Sequence, residues 1–180
     1  TTGAVFGVVS AITPTLRTIS SPGTSKLTTS DIATTAALVN KQAAELQAKG
    51  VNKIILVSHL QGVAYDKQLI ALLKNVDVAI AGGGDDLLTN PDVAESIQLI
   101  PGEGKPVGKY PEMVKDADGV DVPLITAKGN YGYLGRFDVT FDAKGKVSSY
   151  NKTTSYPRRV IPSSSVSKAL GVSDAATPDA

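Results

Sequence analysis

Residues 53–84 read KIILVSHLQGVAYDKQLIALLKNVDVAIAGGG, and the reading of this stretch decides the fold. Residues 53–58 (KIILVS) are a short aliphatic, β-branched run, the pattern of a strand buried in a parallel sheet. From Asp66 onward Leu69, Leu72 and Leu73 recur at helical spacing, which predicts an amphipathic helix starting there. Residues 76–81 (VDVAIA) form a further strand that runs into Gly82, Gly83 and Gly84. Strand, helix and strand with short links make a parallel βαβ unit with a right-handed crossover.

Working outward toward the N-terminus, residues 3–12 (GAVFGVVSAI) predict another strand, apolar on both faces. Residues 13–29, rich in Ser, Thr, Pro and Gly, predict a loop. Thr29 or Ser30 can cap a helix with Asp31 in its first turn, where the helix dipole favours an acid. Ile32, Ala36, Val39, Ala43 and Leu46 then recur at helical spacing, and Gly50 is placed to end that helix. Past Pro101 the periodicity changes. Residues 109–114 and 122–128 predict strands around the turn at 116–119. Residues 131–141 alternate and turn through 142–145 into 146–150, so antiparallel hairpins follow the βαβαβ segment. The tail from Pro157 is Ser-, Ala- and Pro-rich. The expected division is therefore one unit over residues 1–155 and a linker or terminal arm over 156–180.

The chain has 180 residues, enough for one domain with a core. With 18 basic and 17 acidic side chains its net charge is +1, so no electrostatic footprint marks a nucleic acid polymer as partner. It has no cysteine, which excludes disulfides, thiolate metal sites and cysteine nucleophiles. No apolar run reaches the roughly 20 residues of a membrane span. The first residues are Thr1-Thr2-Gly3 with no methionine, so a removed upstream segment or a longer polypeptide is expected.

His59 is the only histidine. It follows the strand at 53–58, and open α/β sheets place their ligands at strand C-terminal ends. An imidazole there can bind a metal or move a proton, or simply hydrogen-bond at the strand end. Gly82-Gly83-Gly84-Asp85-Asp86 follows the next strand. Glycines let a backbone approach a ligand closely, and carboxylates suit hard or borderline divalent cations; the plainer reading is a turn with an acidic helix cap. The loop is neither a P-loop nor a dinucleotide fingerprint. What matters is the pair: the two strands are joined by one helix, so their ends meet at one sheet edge. Lys105, Lys109, Arg136, Arg158 and Arg159 are weaker candidates for a phosphate, and Tyr131 and Tyr133 for stacking on a base; solvated charge and strand packing are the simpler roles.

These residues resemble the 5′-nucleotidase branch of the calcineurin-like metallophosphoesterases. Residues 50–60 (GVNKIILVSHL) and 76–83 (VDVAIAGG) are similar to that family's G-V-D-x-I-I-x-L-S-H-L-G and V-D-V-I-V-G-G-H-S-H-T. Residues 7–14 (GVVSAITP), 108–111, 122–125 and 133–142 (YLGRFDVTFD) follow in the family's order. The resemblance implies an α/β fold, part of a four-layer α-β-β-α sandwich, with the chain forming the C-terminal half of the catalytic domain. It implies two divalent ions (Mn, Mg, Ca or Zn) that activate water and clamp phosphoryl oxygens. It makes His59 a metal ligand and aligns Gly84 and Asp86 with the two histidines of G-H-S-H, so that Asp86, or else Asp85, stands in for a ligand while Gly83 and Gly84 lie against substrate. Loss of the histidines favours harder ions than zinc. The family's D-x-H, G-D-x-x-D and G-N-H-E/D do not occur here. The implied partner is therefore an N-terminal half of the same domain, or a partner chain, which completes the site for a small phosphoester in the periplasm or outside the cell. The rival expectations are a catalytically inactive relative serving as a structural or binding subunit of an extracellular assembly, and an unrelated α/β binding module.

Overall fold

The computed structural model describes residues 3–100 and 102–160. Five strands form the main sheet in the order β1-β2-β3-β7-β6. Strands β1 (Gly7–Ile12), β2 (Ile54–His59) and β3 (Val78–Gly82) are parallel and adjacent. Helices α2 (Ile32–Ala48) and α3 (Val63–Ile70) form the two crossovers, and a short turn of helix, α1 (Leu16–Ile19), lies in the stretch expected to be all loop. The α/β expectation holds: a parallel βαβαβ core is followed by antiparallel hairpins.

Local chemistry accounts for most of α2. Asp31 is itself the N-cap, its carboxylate accepting from the Thr34 N–H at 2.7 Å, not a first-turn acid behind a Thr29 or Ser30 cap. Gly50 ends the helix with φ +83, a left-handed conformation that glycine adopts without a Cβ penalty. Ala36, Val39 and Ala43 are buried against the sheet. Helix α3 begins at Val63, three residues before the expected Asp66, because a carboxylate from another loop meets its first N–H. Leu69, Ile70 and Leu73 pack under the sheet with Ile54 and Leu56, all with no exposed surface; each contributes about 1.5–3 kcal/mol of apolar burial. Leu72, expected on the inner face, points outward and is 45% exposed.

The C-terminal half departs furthest from expectation. The strand expected at 109–114 is two: β5 (Gly108–Lys109) pairs in parallel with β4 (Leu88–Thr89), and β6 (Glu112–Lys115) pairs antiparallel with β7 (Asp121–Ile125). Strand β7 also runs parallel beside β3 and so joins the hairpin to the main sheet. The expected strand at 131–141 breaks into β8 (Tyr133–Arg136) and β9 (Val139–Phe141); β9 pairs with β10 (Val147–Tyr150) around the turn at 142–145. Strand β11 (Tyr156–Arg159) pairs with β8, so ordered structure passes the boundary expected at 155/156. The rest of the arm expected over 156–180 lies outside the described residues. The short helix α4 (Ala94–Ile97) packs on β11, with Tyr156 donating to Glu95 at 2.8 Å.

One face of the sheet is left bare along β1 and β2. Burial alternates along β1 and β2, with Val9 and Leu56 buried but Val8 62%, Ile12 52% and Val57 42% exposed. Strand β1, apolar on both faces, is therefore buried on the helix side alone. Between the bare face and the β9–β10 hairpin lies a groove of about 890 Å³ lined by Phe6, Ile55, Val78, Ile80, Phe137 and Phe141 among others. Phe6 meets Phe141 edge to face, with ring centroids 5.6 Å apart. No helix among the described residues is long and apolar enough to cross a membrane.

Candidate functional site

The C-terminal ends of β2, β3 and β7 share one rim of the parallel sheet. In the β2–β3 register His59 lies opposite Gly82, so the strand-end histidine and the glycine-rich loop are neighbours. The His59 side chain is exposed at the rim, and the main-chain oxygen of His59 accepts from Thr13 N at 2.9 Å. The imidazole lies over Gly83: a Cβ there would stand 2.6 Å from its Cε1 and Nδ1. Gly83 has φ +84, so both the backbone and the ring above it require glycine.

Gln61 flanks the same ring. Its amide nitrogen is 3.3 Å from His59 Nδ1. The amide N–H donates to Nδ1, which in a neutral ring leaves the proton on Nε2. Gln61 has φ 70 and stands between Leu60 and Gly62 in the turn that follows β2. Its backbone fills the space beside Gly84: a Cβ on Gly84 would stand 3.0 Å from the Gln61 carbonyl carbon and oxygen and 3.2 Å from the Gly62 nitrogen. The room beside Gly84 is thus narrowed by the neighbouring loop, and that over Gly83 by the His59 ring.

Asp86 is half-buried, and its Oδ2 accepts from the Val63 N–H at 2.8 Å, holding the start of α3. The strand-end carboxylate is thus engaged at the start of α3, whose own N-cap residue is Gly62. Asp85 is exposed and turns toward the third loop of the rim, its Oδ1 3.1 Å from where a Cβ on Gly129 would lie. That loop carries Asn130 (φ 64) and Tyr131 (φ 56) in left-handed conformations, and the Tyr131 side chain is 95% exposed.

Behind the rim sits Asp66, which the sequence marked only as a helix start. It is 1% exposed, and its Oδ1 accepts from the Ser58 hydroxyl. Its Oδ2 has no hydrogen-bond partner. With Asp86, Gly62, Gly84 and Thr126 it lines a cavity of about 10 Å³. Burial pushes the Asp66 carboxyl up to about 6, the Ser58 hydroxyl pulls it down in part, and the negative charge of Asp86 adds to the rise.

The weaker candidates do not gather here. Arg136 pairs with Asp138 at 2.8 Å, Arg158 stands over the Tyr156 ring, and Arg159 is buried with its guanidinium 3.4 Å from Gln98. Tyr133 is buried and its hydroxyl accepts from Ile100 N at 3.1 Å, which is strand packing. Among the described residues no three His, Cys, Asp or Glu side chains are grouped closely enough to hold a metal ion. His59, Asp85 and Asp86 are donors of the right chemistry, but by themselves they do not make a two-ion centre.

No family model matches the sequence. The chain is 32% identical to the 5′-nucleotidase of Mus musculus over 91% of its own length and 26% of that protein's. It is 36% identical to the snake venom 5′-nucleotidase of Gloydius brevicauda over 61% of its length and 17% of the relative's. Among solved structures, the 5′-nucleotidase precursor from Thermus thermophilus superposes with a TM-score of 0.68 at 34% identity, covering 86% of this chain and 27% of that one. The NAD nucleotidase of Haemophilus influenzae shares the fold, with a TM-score of 0.65 at 24% identity over 81% of this chain and 24% of its own. The chain therefore spans about a quarter of the length of the relatives that it matches most fully. The unrelated binding module falls away, and the resemblance read from residues 7–142 holds: by sequence and by fold this chain is 5′-nucleotidase-like, the counterpart of about a quarter of such a protein.

Proposed function

We propose that the chain is one part of a divalent-metal-dependent hydrolase of small phosphoesters, acting in the periplasm or outside the cell, whose two-ion centre is completed by an N-terminal half of the same domain or by a partner chain. The observation that carries this reading is the register of His59 beside Gly82, which sets an exposed imidazole and two carboxylates on one rim. The relatives' names support the substrate class, and the venom and precursor proteins among them support a secreted location. Bound ions would supply an activated water and a clamp on the phosphoryl oxygens. This chain's own part is to present His59, steadied by Gln61 and Gly83, together with the free oxygen of Asp86 and the carboxylate of Asp85. The exposed backbone of Gly83 is the surface that a phosphoryl group would approach.

The test is His59→Ala in the assembled protein. Metal-dependent hydrolysis of a generic phosphomonoester should be abolished while the far-UV circular dichroism stays the same, because His59 is exposed and supports no core. Undiminished hydrolysis would remove His59 from the site. A second reading, an inactive relative serving in an extracellular assembly, is favoured by glycine at position 84, which offers no side-chain ligand and is crowded by the Gln61 backbone. Native mass and elemental analysis separate the two: a companion segment bearing D-x-H and G-N-H-E together with bound metal supports the hydrolase, and their absence supports the inactive subunit.

A further inference from the structure

The two ends of the main sheet are finished differently. At one end β6 presents Glu112, paired with Lys67 at 2.8 Å, and Lys115, paired with Asp121 at 2.7 Å. Charges on an outer strand keep other strands from adding to it. At the other end β1 has no such guard. Residues 3–13 carry neither a charge nor a proline, and among the described residues no strand lies beyond β1.

Two hydrogen bonds fix the direction of its backbone. Gly7 N–H donates to the Lys53 carbonyl at 2.8 Å, and Thr13 N–H donates to the His59 carbonyl at 2.9 Å. The odd-numbered residues from 7 to 13 therefore turn their N–H and C=O groups toward β2. With a period of two, Val8, Ser10 and Ile12 turn theirs outward. The same three residues carry the side chains exposed on the bare face. On the helix side of this edge runs a groove of about 370 Å³, lined in part by Val9 and Ser10 and by Gln42, Glu45 and Lys49 of α2.

We propose that a strand from a part of the protein outside this chain adds to the free edge of β1. It is apolar on the side that continues the bare face and polar on the side that meets Gln42, Glu45 and Lys49. The inference rests on the reading above, in which another segment completes the domain. This chain spans 26% of the length of the Mus musculus relative, so a protein of that size has polypeptide enough for a further strand. The β1 strand of a second copy fits less well: its helix-side residues, Val9 and Ala11, would set no polar side chain against that groove.

The test is amide hydrogen exchange over residues 3–13 of the intact protein at two concentrations, with its mass in solution read by sedimentation. Val8, Ser10 and Ile12 should exchange at least ~100-fold more slowly than in an unstructured peptide, as amides of a paired strand do, and equally at both concentrations. Exchange at the unstructured rate would leave the edge in water and overturn the inference. Protection that falls on dilution as a dimer dissociates would give the edge to a second copy, and would overturn it too. Ser10→Pro removes an outward donor and none that faces β2, a change that an outer strand bordered by water tolerates. In the intact protein it should speed exchange at Val8 and Ile12 at least ~10-fold, while Val9 and Ala11 stay protected by β2. Unchanged exchange at Val8 and Ile12 would contradict the added strand. Should Ser10→Pro fail to fold, the wild-type exchange still decides. None of these results bears on His59, whose substitution tests the metal-dependent reading by itself.

Discussion

Asp66 shows how much one residue can carry without any mark in the sequence. Its carboxyl, ordinarily near 3.8, rises to about 6 through burial, so between pH 4 and 6 the folded chain binds a proton that the unfolded chain has lost. Stability from this group is fully present below about pH 4 and declines as pH rises toward 6, with no further loss above. In chelator, Asp66→Asn should flatten that slope of melting temperature against pH; an unchanged slope would exonerate Asp66. Two glycines make a second contrast at this scale. Gly50 and Gly145 share a left-handed φ, +83 and +84, but a Cβ on Gly50 meets nothing within 4 Å, whereas one on Gly145 would lie 1.8 Å from the Asn52 carbonyl oxygen. Gly50→Ala should cost about 1–2 kcal/mol, the price of a left-handed L-residue. Gly145→Ala should cost distinctly more, because the β9–β10 turn must also move off the start of β2. Urea melts of the two variants compare them directly, and equal losses would contradict the contact.

Helices α2 and α3 differ in where their ends are encoded. Everything that starts and stops α2 lies within a few residues of it: the Asp31 cap, the inward stripe and the left-handed Gly50. Helix α3 is started by Asp86, 23 residues on from Val63, so its first turn could not be read locally and Asp66 was the earliest visible signal. Asp86→Ala should therefore cost about 1 kcal/mol of stability even in metal-free protein, the usual worth of such a cap. Asp86→Asn, which keeps an acceptor oxygen, should cost less while weakening any ion held there. If the two variants are equally stable in denaturant melts, the Val63 contact carries no energy. The strands after Pro101 failed in the same way. Residues 131–141 alternate as one strand would, yet they divide because Tyr133–Arg136 pairs with β11 while Val139–Phe141 pairs with β10. Alternation reports a pleated backbone and says nothing about which partner it takes.

At the scale of the whole molecule, the bare face of the sheet is the dominant feature. Val8, Ile12, Val57 and Ile80 are each more than a third exposed, beside a groove of about 890 Å³. Exposed apolar patches of this kind mark interaction sites in other proteins. The chain by itself should self-associate in sedimentation experiments. Val57→Lys should reduce that association with little change in the chain's own melting temperature, since Val57 contributes little to the core. In the complete protein the same substitution should be costly, because it would place an unpaired charge under a second layer. A tolerated Val57→Lys there would mean that this face stays open to water.

The sequence by itself determined the order of strands and helices through β3 apart from α1, the turns of the two hairpins, the strand-end place of His59 and its closeness to the glycine-rich loop. Each of these rests on periodicity, turn chemistry or the handedness of a βαβ unit, which act over a few residues or one crossover. Only the tertiary structure decided that β7 joins the main sheet beside β3, that β8 and β11 close on each other, and that β1 and β2 are covered on a single face. It alone showed that Asp86 meets the start of α3, that Asp66 is buried behind the rim, and that the Gln61 backbone lies against Gly84. Those facts depend on which surfaces meet after long stretches of chain have returned, and no local pattern carries that information.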